Sequence, residues 1–231
     1  MKRRRKPQRS SADRAQAERY LAELAMENPR DVLRCCADTR EDIRRRGIAC
    51  LALGHLRFDS AIPLLTKLAN DEDLSLAINS MRALSAIRSQ RATSPLMEIV
   101  KRSKREEVRN AAINALGSLG DKRAERMLRG ILADHTESEF TRSYAAQSLG
   151  FLGRGNLTVA SLMGALQDPS PTIRWSALNS LGIIGDRRAI SVIQMHLSDE
   201  AIVPSLPDHA TVQDAARNAL QNLGAAGTDG G

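Results

Sequence analysis

The sequence predicts an all-α chain, a right-handed α-solenoid (superhelix) of about six stacked helix pairs, and three observations carry that prediction. A segment reading V-R-x-x-A-x-x-A-L-G-x-L-G-D-x-x-A recurs along the 231 residues, and self-similarity at a fixed spacing marks an array of supersecondary units. Aromatic residues make up 3% of the chain against 42% hydrophobic, so the apolar content is Ala, Leu, Ile and Val, which suits closely packed helices better than strands. Within each copy the apolar residues fall at i, i+4, i+7, i+8 and i+11, as in Val108, Ala112, Ala115, Leu116 and Leu119, which is one face of a helix.

Taken in order along the chain, residues 1–12 read as a disordered basic tail, with Lys2, Arg3, Arg4, Arg5 and Lys6 at its centre. Residues 13–39 read as N-terminal capping helices, because Ala17, Tyr20, Leu21, Leu24 and Ala25 share one side of a helix. The repeats occupy residues 40–224. Their clearest copy runs from Val108 to Asp121 with Ala124 following, and a second begins at Ile173 with Arg174, Ala177, Leu181-Gly182, Gly185-Asp186 and Ala189.

Arg142, Ala145, Leu149-Gly150 and Leu152-Gly153 divide the interval between them into steps of 33 and 32 residues. Weaker copies lie upstream, at Arg46, Ala49 and Leu53-Gly54 and at Ala77, Ser80 and Ala83-Leu84, and downstream at Val212, Ala216 and Leu223-Gly224. In each copy the small Ala positions allow neighbouring helices to approach closely. Gly120-Asp121 reads as a helix stop and turn, after which a shorter helix such as Ala124–Ala133 or Ala189–Leu197 completes the pair. One such pair cannot bury its apolar face alone, so pairs must stack. A longer link from Asp199 to Ala210, with Pro204 and Pro207, separates the last copy, and residues 225–231, rich in Gly, read as a disordered tail.

The repeated V-R-x-x-A-x-x-A-L-G-x-L-G-D is similar to the short HEAT-like repeat of the phycobilin-lyase (PBS lyase) type, over nearly four fifths of the chain. The resemblance implies an armadillo-like helical architecture. It leaves chemistry open, since similar repeats serve lyase subunits, scaffolds and assembly factors.

The formal charge is +7, yet the first nine residues supply most of it and leave about +1 for the rest, which is not the footprint of a typical DNA binder. No apolar run approaches the roughly 18 residues that span a bilayer, and a cytoplasmic location is expected. Cys35, Cys36 and Cys50 are odd in number and lack C-x-x-C spacing, which argues for neither a disulfide framework nor zinc. His55, His135, His196 and His209 fall at unrelated places. Deoxyhypusine hydroxylase, an enzyme on similar repeats, carries its di-iron site on repeated His-Glu motifs, and none occurs here. No metal site, no cofactor and no catalytic residue is expected; Cys50 reads as a packed core thiol.

Arg46, Arg109, Arg142 and Arg174 recur once per repeat. They are expected to pair with loop acids such as Asp121, Asp168 and Asp186 and hold adjacent units in register. Positions where the copies disagree carry more functional information. One residue after the arginine these include Asn110 and Trp175; four residues later come Arg82, Asn114, Gln147 and Asn179. Spacing of i and i+4 puts both rows on one helical face.

The expected function is a non-catalytic protein-binding scaffold or adaptor, not an enzyme, whose concave groove around Arg82, Asn110, Asn114, Gln147, Trp175 and Asn179 grips a protein partner. Two other readings stay open. One is a phycobilin lyase-like or chaperone subunit holding a tetrapyrrole; the other is a nucleic-acid-binding solenoid that engages an anionic partner through the basic tail.

Overall fold

Five of the six long helices of the repeat begin where a short polar side chain folds back on the backbone; the exception, Glu106–Leu119, follows Arg105 and has no side-chain cap. Asp42, Asp73, Ser138 and Ser170 all accept from main-chain N–H groups of the first turn. Thr211 and Asp214 cap each other's backbone in a reciprocal box. Caps of this kind stabilise a helix by about 1 kcal/mol each. Glycine ends three of these helices: Gly120 and Gly185 take left-handed φ values of 71° and 68°, and Gly153 a φ of 92°, which cost glycine nothing. Arg88 occupies the corresponding position at φ 57°.

The computed structural model describes residues 28–153, 155–204, 206 and 210–224. The expected basic tail, residues 13–27 of the expected N-terminal cap and residues 225–231 lie outside them. Two units are distinguished, divided between Ser89 and Gln90. The first contains α1 (Pro29–Ala37), α2 (Ile43–His55), α3 (Ile62–Leu68) and α4 (Leu74–Ile87). The second contains α5 (Thr93–Arg102), α6 (Glu106–Leu119), α7 (Glu125–Ala133), α8 (Glu139–Leu152), α9 (Asn156–Ala165), α10 (Pro171–Ile184), α11 (Ile190–Gln194) and α12 (Val212–Asn222).

Odd-numbered helices are the short members of each pair and even-numbered ones carry the repeat motif. Short 3-10 turns at Asp59–Ala61, Gln90–Ala92, Lys122–Ala124 and Arg187–Ala189 lead into four of the short helices. Each ends on a fully buried alanine, the last position of the repeated motif. In the second unit α6, α8, α10 and α12 pack side by side in sequence, and α2 and α4 do the same in the first.

The glycine of the repeated Leu-Gly is what lets these long helices touch. A Cβ added at Gly117 would lie 2.6 Å from Ser148 Cα, one at Gly150 would lie 2.9 Å from Ser180 Cβ, and one at Gly182 would lie 2.9 Å from Ala219 Cα. Close approach brings a hydrogen bond with it. Ser148 Oγ donates to Ile113 O at 3.0 Å and Ser180 Oγ to Ala146 O at 2.9 Å, each carbonyl four residues before the facing glycine. The serines replace the second alanine of the motif, so a buried hydroxyl is satisfied where its helix meets the next.

The link after α11 folds back on itself. Ile202 and Thr211 form an antiparallel bridge, Val203 N–H donates to Ala210 O and Val212 N–H to Ala201 O, and Val203 is buried. Pro207 and His209 of this link are outside the described residues.

Candidate functional site

The recurrent arginines are brackets within the framework. In α2, α6 and α8, Arg46, Arg109 and Arg142 donate from Nε to Cys36 O, Val100 O and Leu132 O, the last-turn carbonyls of the preceding short helix, at 3.0–3.2 Å. Such carbonyls have no partner inside their own helix. The guanidinium then reaches forward. Arg109 holds Glu137 at 3.0 Å, Arg142 pairs with buried Asp168, and Arg174 meets Asp199 at 2.8 Å.

The expected partners are therefore right for Asp168 and wrong for Asp121 and Asp186. Those two turn acids bond Arg123 and Arg188, two residues on, because the turn places that side chain beside them. Asp121 also accepts the Thr93 hydroxyl at 2.7 Å. The Arg123 side chain is the main reason its carboxyl falls to about 2, against the opposing effect of burial. At Asp199 burial pulls upward and is outweighed by Arg174, the Ala201 N–H and His196, so its pKa is lowered. These groups are committed to holding pairs together.

The residues singled out from the rows separate into different environments. Arg82 is exposed on α4 in the first unit. Asn110 on α6 corrects the expectation of a groove-lining amide. It is only 9% exposed, because its Oδ1 accepts the Thr141 hydroxyl of α8 at 2.9 Å and ties the two helices together. Asn114 is exposed, while Gln147, Trp175 and Asn179 are half-buried. Gln147 Nε2 donates to Ser143 Oγ at 3.1 Å, and Ser143 and Ser176 share a hydrogen bond of 2.8 Å between α8 and α10. Asn179 Nδ2 turns back to Trp175 O at 2.9 Å, leaving its carbonyl oxygen available.

What the rows missed is the aromatic stripe beside them. Phe140, Tyr144, Gln147 and Phe151 recur at i, i+4, i+7 and i+11 on α8, which is one helical face. Phe140 is 55% and Phe151 56% exposed, and Ile183 on α10, in register with Phe151, is 56% exposed. With Trp175, this surface holds four of the six aromatic side chains in the whole sequence. The signal was legible: in a chain so poor in aromatics, three at helical spacing on one motif helix stand apart from the packing positions. The result is a surface of flat rings interleaved with amides.

A concavity of about 200 Å³ lies among Ser103, Lys104, Glu106, Arg109, Glu137, Ser138 and Thr141. Its polar groups are largely bonded to one another, Arg109 to Glu137 and Ser138 to Glu106. Among the described residues no three His, Cys, Asp or Glu side chains come together as metal ligands, and no helix is long and apolar enough to cross a membrane. Cys50 is fully buried, as expected of a core thiol, but it has a partner that sequence spacing did not announce: Cys36 Sγ lies 2.9 Å away.

Comparison with known proteins adds what the geometry lacks. The family model for HEAT repeats matches residues 31–117 and 138–221, and the model for the PBS lyase HEAT-like repeat matches 108–134. The bilin biosynthesis protein PecE of Mastigocladus laminosus is 30% identical over 146 residues, which is 63% of this chain and 53% of that protein. PecE of Nostoc sp. (strain PCC 7120) is 29% identical over 146 residues, 63% of this chain and 56% of that one. The chain thus spans about half the length of the curated relatives it matches.

Among solved structures, the complex of CpcE and CpcF of phycocyanin lyase from Nostoc sp. PCC7120 aligns with TM-score 0.51 at 17% identity, covering 96% of this chain and 90% of that one. A designed armadillo repeat protein in complex with the peptide (KR)4 aligns with TM-score 0.53 at 16% identity, covering 85% and 100%. These two establish the helical-repeat fold. The bilin biosynthesis relatives overturn the expectation of a non-catalytic adaptor that is not an enzyme. That expectation followed from the repeat motif, whose positions are spent on packing and are silent about chemistry.

Proposed function

The chain belongs to the HEAT-repeat family, and from that premise we propose that it is a bilin lyase-type subunit. In this reading it holds an open-chain tetrapyrrole and, together with a partner protein, delivers it to a cysteine of an acceptor protein. The observation that carries the reading is the likeness over 146 residues to bilin biosynthesis proteins. The partner is supported by analogy with the CpcE and CpcF complex, whose fold this chain shares.

The ligand is placed on the α8–α10 face. An open-chain tetrapyrrole is long, conjugated and apolar along its faces, with lactam N–H and C=O groups at its ends. Phe140, Tyr144, Phe151 and Trp175 offer ring surface, and Asn114, Gln147 and Asn179 offer amide donors and acceptors of matching polarity. Holding the tetrapyrrole against this face fixes its conformation and keeps one side from water, so that addition of the acceptor thiol starts from a defined geometry. A nucleic-acid role for Lys2–Lys6 has no support among the relatives.

The test adds phycocyanobilin to the purified full chain, alone and with a lyase partner subunit, and follows visible absorbance and covalent transfer to an apo-phycobiliprotein. A spectral shift on binding is expected, with affinity about tenfold weaker in a Trp175→Ala/Asn179→Ala variant. No spectral change and no transfer in either arrangement would overturn the reading. Binding that persists unweakened in the variant would overturn the placement on α8–α10.

A further inference from the structure

Cys36 on α1 and Cys50 on α2 are fully buried, and their sulfurs lie 2.9 Å apart across the interface of the first helix pair. No disulfide joins them. Bond formation requires a separation of about 2.05 Å, hence about 1 Å of further approach between side chains that already touch. Arg46, one helical turn before Cys50, lies against the same two helices and donates from Nε to Cys36 O at 3.2 Å, placing a guanidinium beside the Cys36 sulfur. Cys35 is the adjacent residue on α1, about 100° around the helix, and is half-buried.

We propose that Cys36 and Cys50 are a peroxide-sensitive dithiol that closes into an intrachain disulfide and locks α1 onto α2. Their environments divide the labour. The hydrogen bond from Cys50 and the nearby Arg46 charge hold Cys36 below the ordinary thiol range against the cost of burial. Cys50 is pushed up, by its bond to Cys36 and by burial. Cys36 is the attacking thiolate and Cys50 the resolving thiol.

In the first step the Cys36 thiolate attacks hydrogen peroxide. An S–O bond forms, the O–O bond breaks, and the departing hydroxide takes the proton released by Cys36, leaving a sulfenic acid and water. In the second, Cys50 sulfur attacks the sulfenic sulfur. The S–S bond forms, S–O breaks, and the departing hydroxide takes the Cys50 proton as a second water. Two thiols are oxidised and one peroxide is reduced. Because both sulfurs are shielded, reaction waits on transient separation of α1 from α2, and the rate is expected to level off as peroxide rises.

The experiment treats the full chain with hydrogen peroxide, alkylates remaining thiols in denaturant, and reads intact mass, linked peptides and melting temperature. The expected product has lost the mass of two hydrogens and links the peptides carrying Cys36 and Cys50. It melts several degrees higher, and dithiothreitol reverses both changes. Cys35 shares a tryptic peptide with Cys36, so the Cys35→Ser variant assigns the bond: it must cross-link as the parent does, while Cys36→Ser must not. A Cys35→Ser variant that no longer cross-links, or oxygen gained with no hydrogens lost, overturns the proposal. An oxidised form that melts no higher overturns the lock.

Discussion

Replacing Gly117 by alanine adds one methyl group where the structure has no room for it. The new Cβ would stand 2.6 Å from both Cα and Cβ of Ser148 and 2.7 Å from its Oγ, whereas carbon atoms in contact prefer about 3.5–4.0 Å. Relief needs α6 and α8 to part by about 1 Å, since the obstruction is backbone. Ser148 Oγ is bonded to Ile113 O across the same contact and would be drawn away from it. Overpacking of this kind costs about 1–3 kcal/mol, and the better helix propensity of alanine returns about 1 kcal/mol, for a net loss of up to about 2 kcal/mol. Gly130 supplies the control. It lies inside α7, exposed, with no atom within 4 Å of an added Cβ, so Gly130→Ala keeps only the propensity gain of about 0.5–1 kcal/mol. Urea unfolding of both variants, compared at equal m-values, should move the midpoints in opposite directions. If Gly117→Ala stabilises the chain as Gly130→Ala does, the argument that the repeat glycine is a packing contact is refuted.

Other outcomes follow from the arginine brackets and the turn acids. Asp168→Ala should cost about 3–5 kcal/mol, because it leaves the Arg142 guanidinium buried without its carboxylate; urea unfolding beside an Arg174→Lys variant, in which Asp199 keeps a cationic partner, checks it. The Asp121 carboxyl sits at about 2 in the folded chain against about 3.9 unfolded. Its contribution to stability is therefore present above about pH 4 and is lost as pH falls toward 2. Thermal melts across that window should show the loss, with Asp121→Asn flattening it.

Much of the fold was readable from local chemistry. The helix pairs, their stops at Gly120 and Gly185 and the stacking requirement all follow from an apolar face repeated every 32 or 33 residues. A bracketing role for the arginines followed from their recurrence. The candidate site was legible only in part. Trp175, Gln147 and Asn179 stood out because packing positions repeat and these do not, and the stripe of Phe140, Tyr144 and Phe151 was present in the spacing but hidden by reading across repeats instead of along one helix. Asn110 was misplaced for a related reason: a polar residue on an outward row is free only if nothing opposite bonds it, and Thr141, 31 positions later, does.

The sequence by itself determined that this chain builds helix pairs and which face of each helix is apolar, because periodicity is a property of one helix and its own backbone. Only the tertiary structure decided what stands across each face: Ser148 against Gly117 and open space at Gly130, Glu137 rather than Asp121 for Arg109, Cys36 for Cys50. Those are distances between segments far apart in the chain. They depend on how helices settle against one another to within an ångström, which side-chain spacing along one helix does not specify.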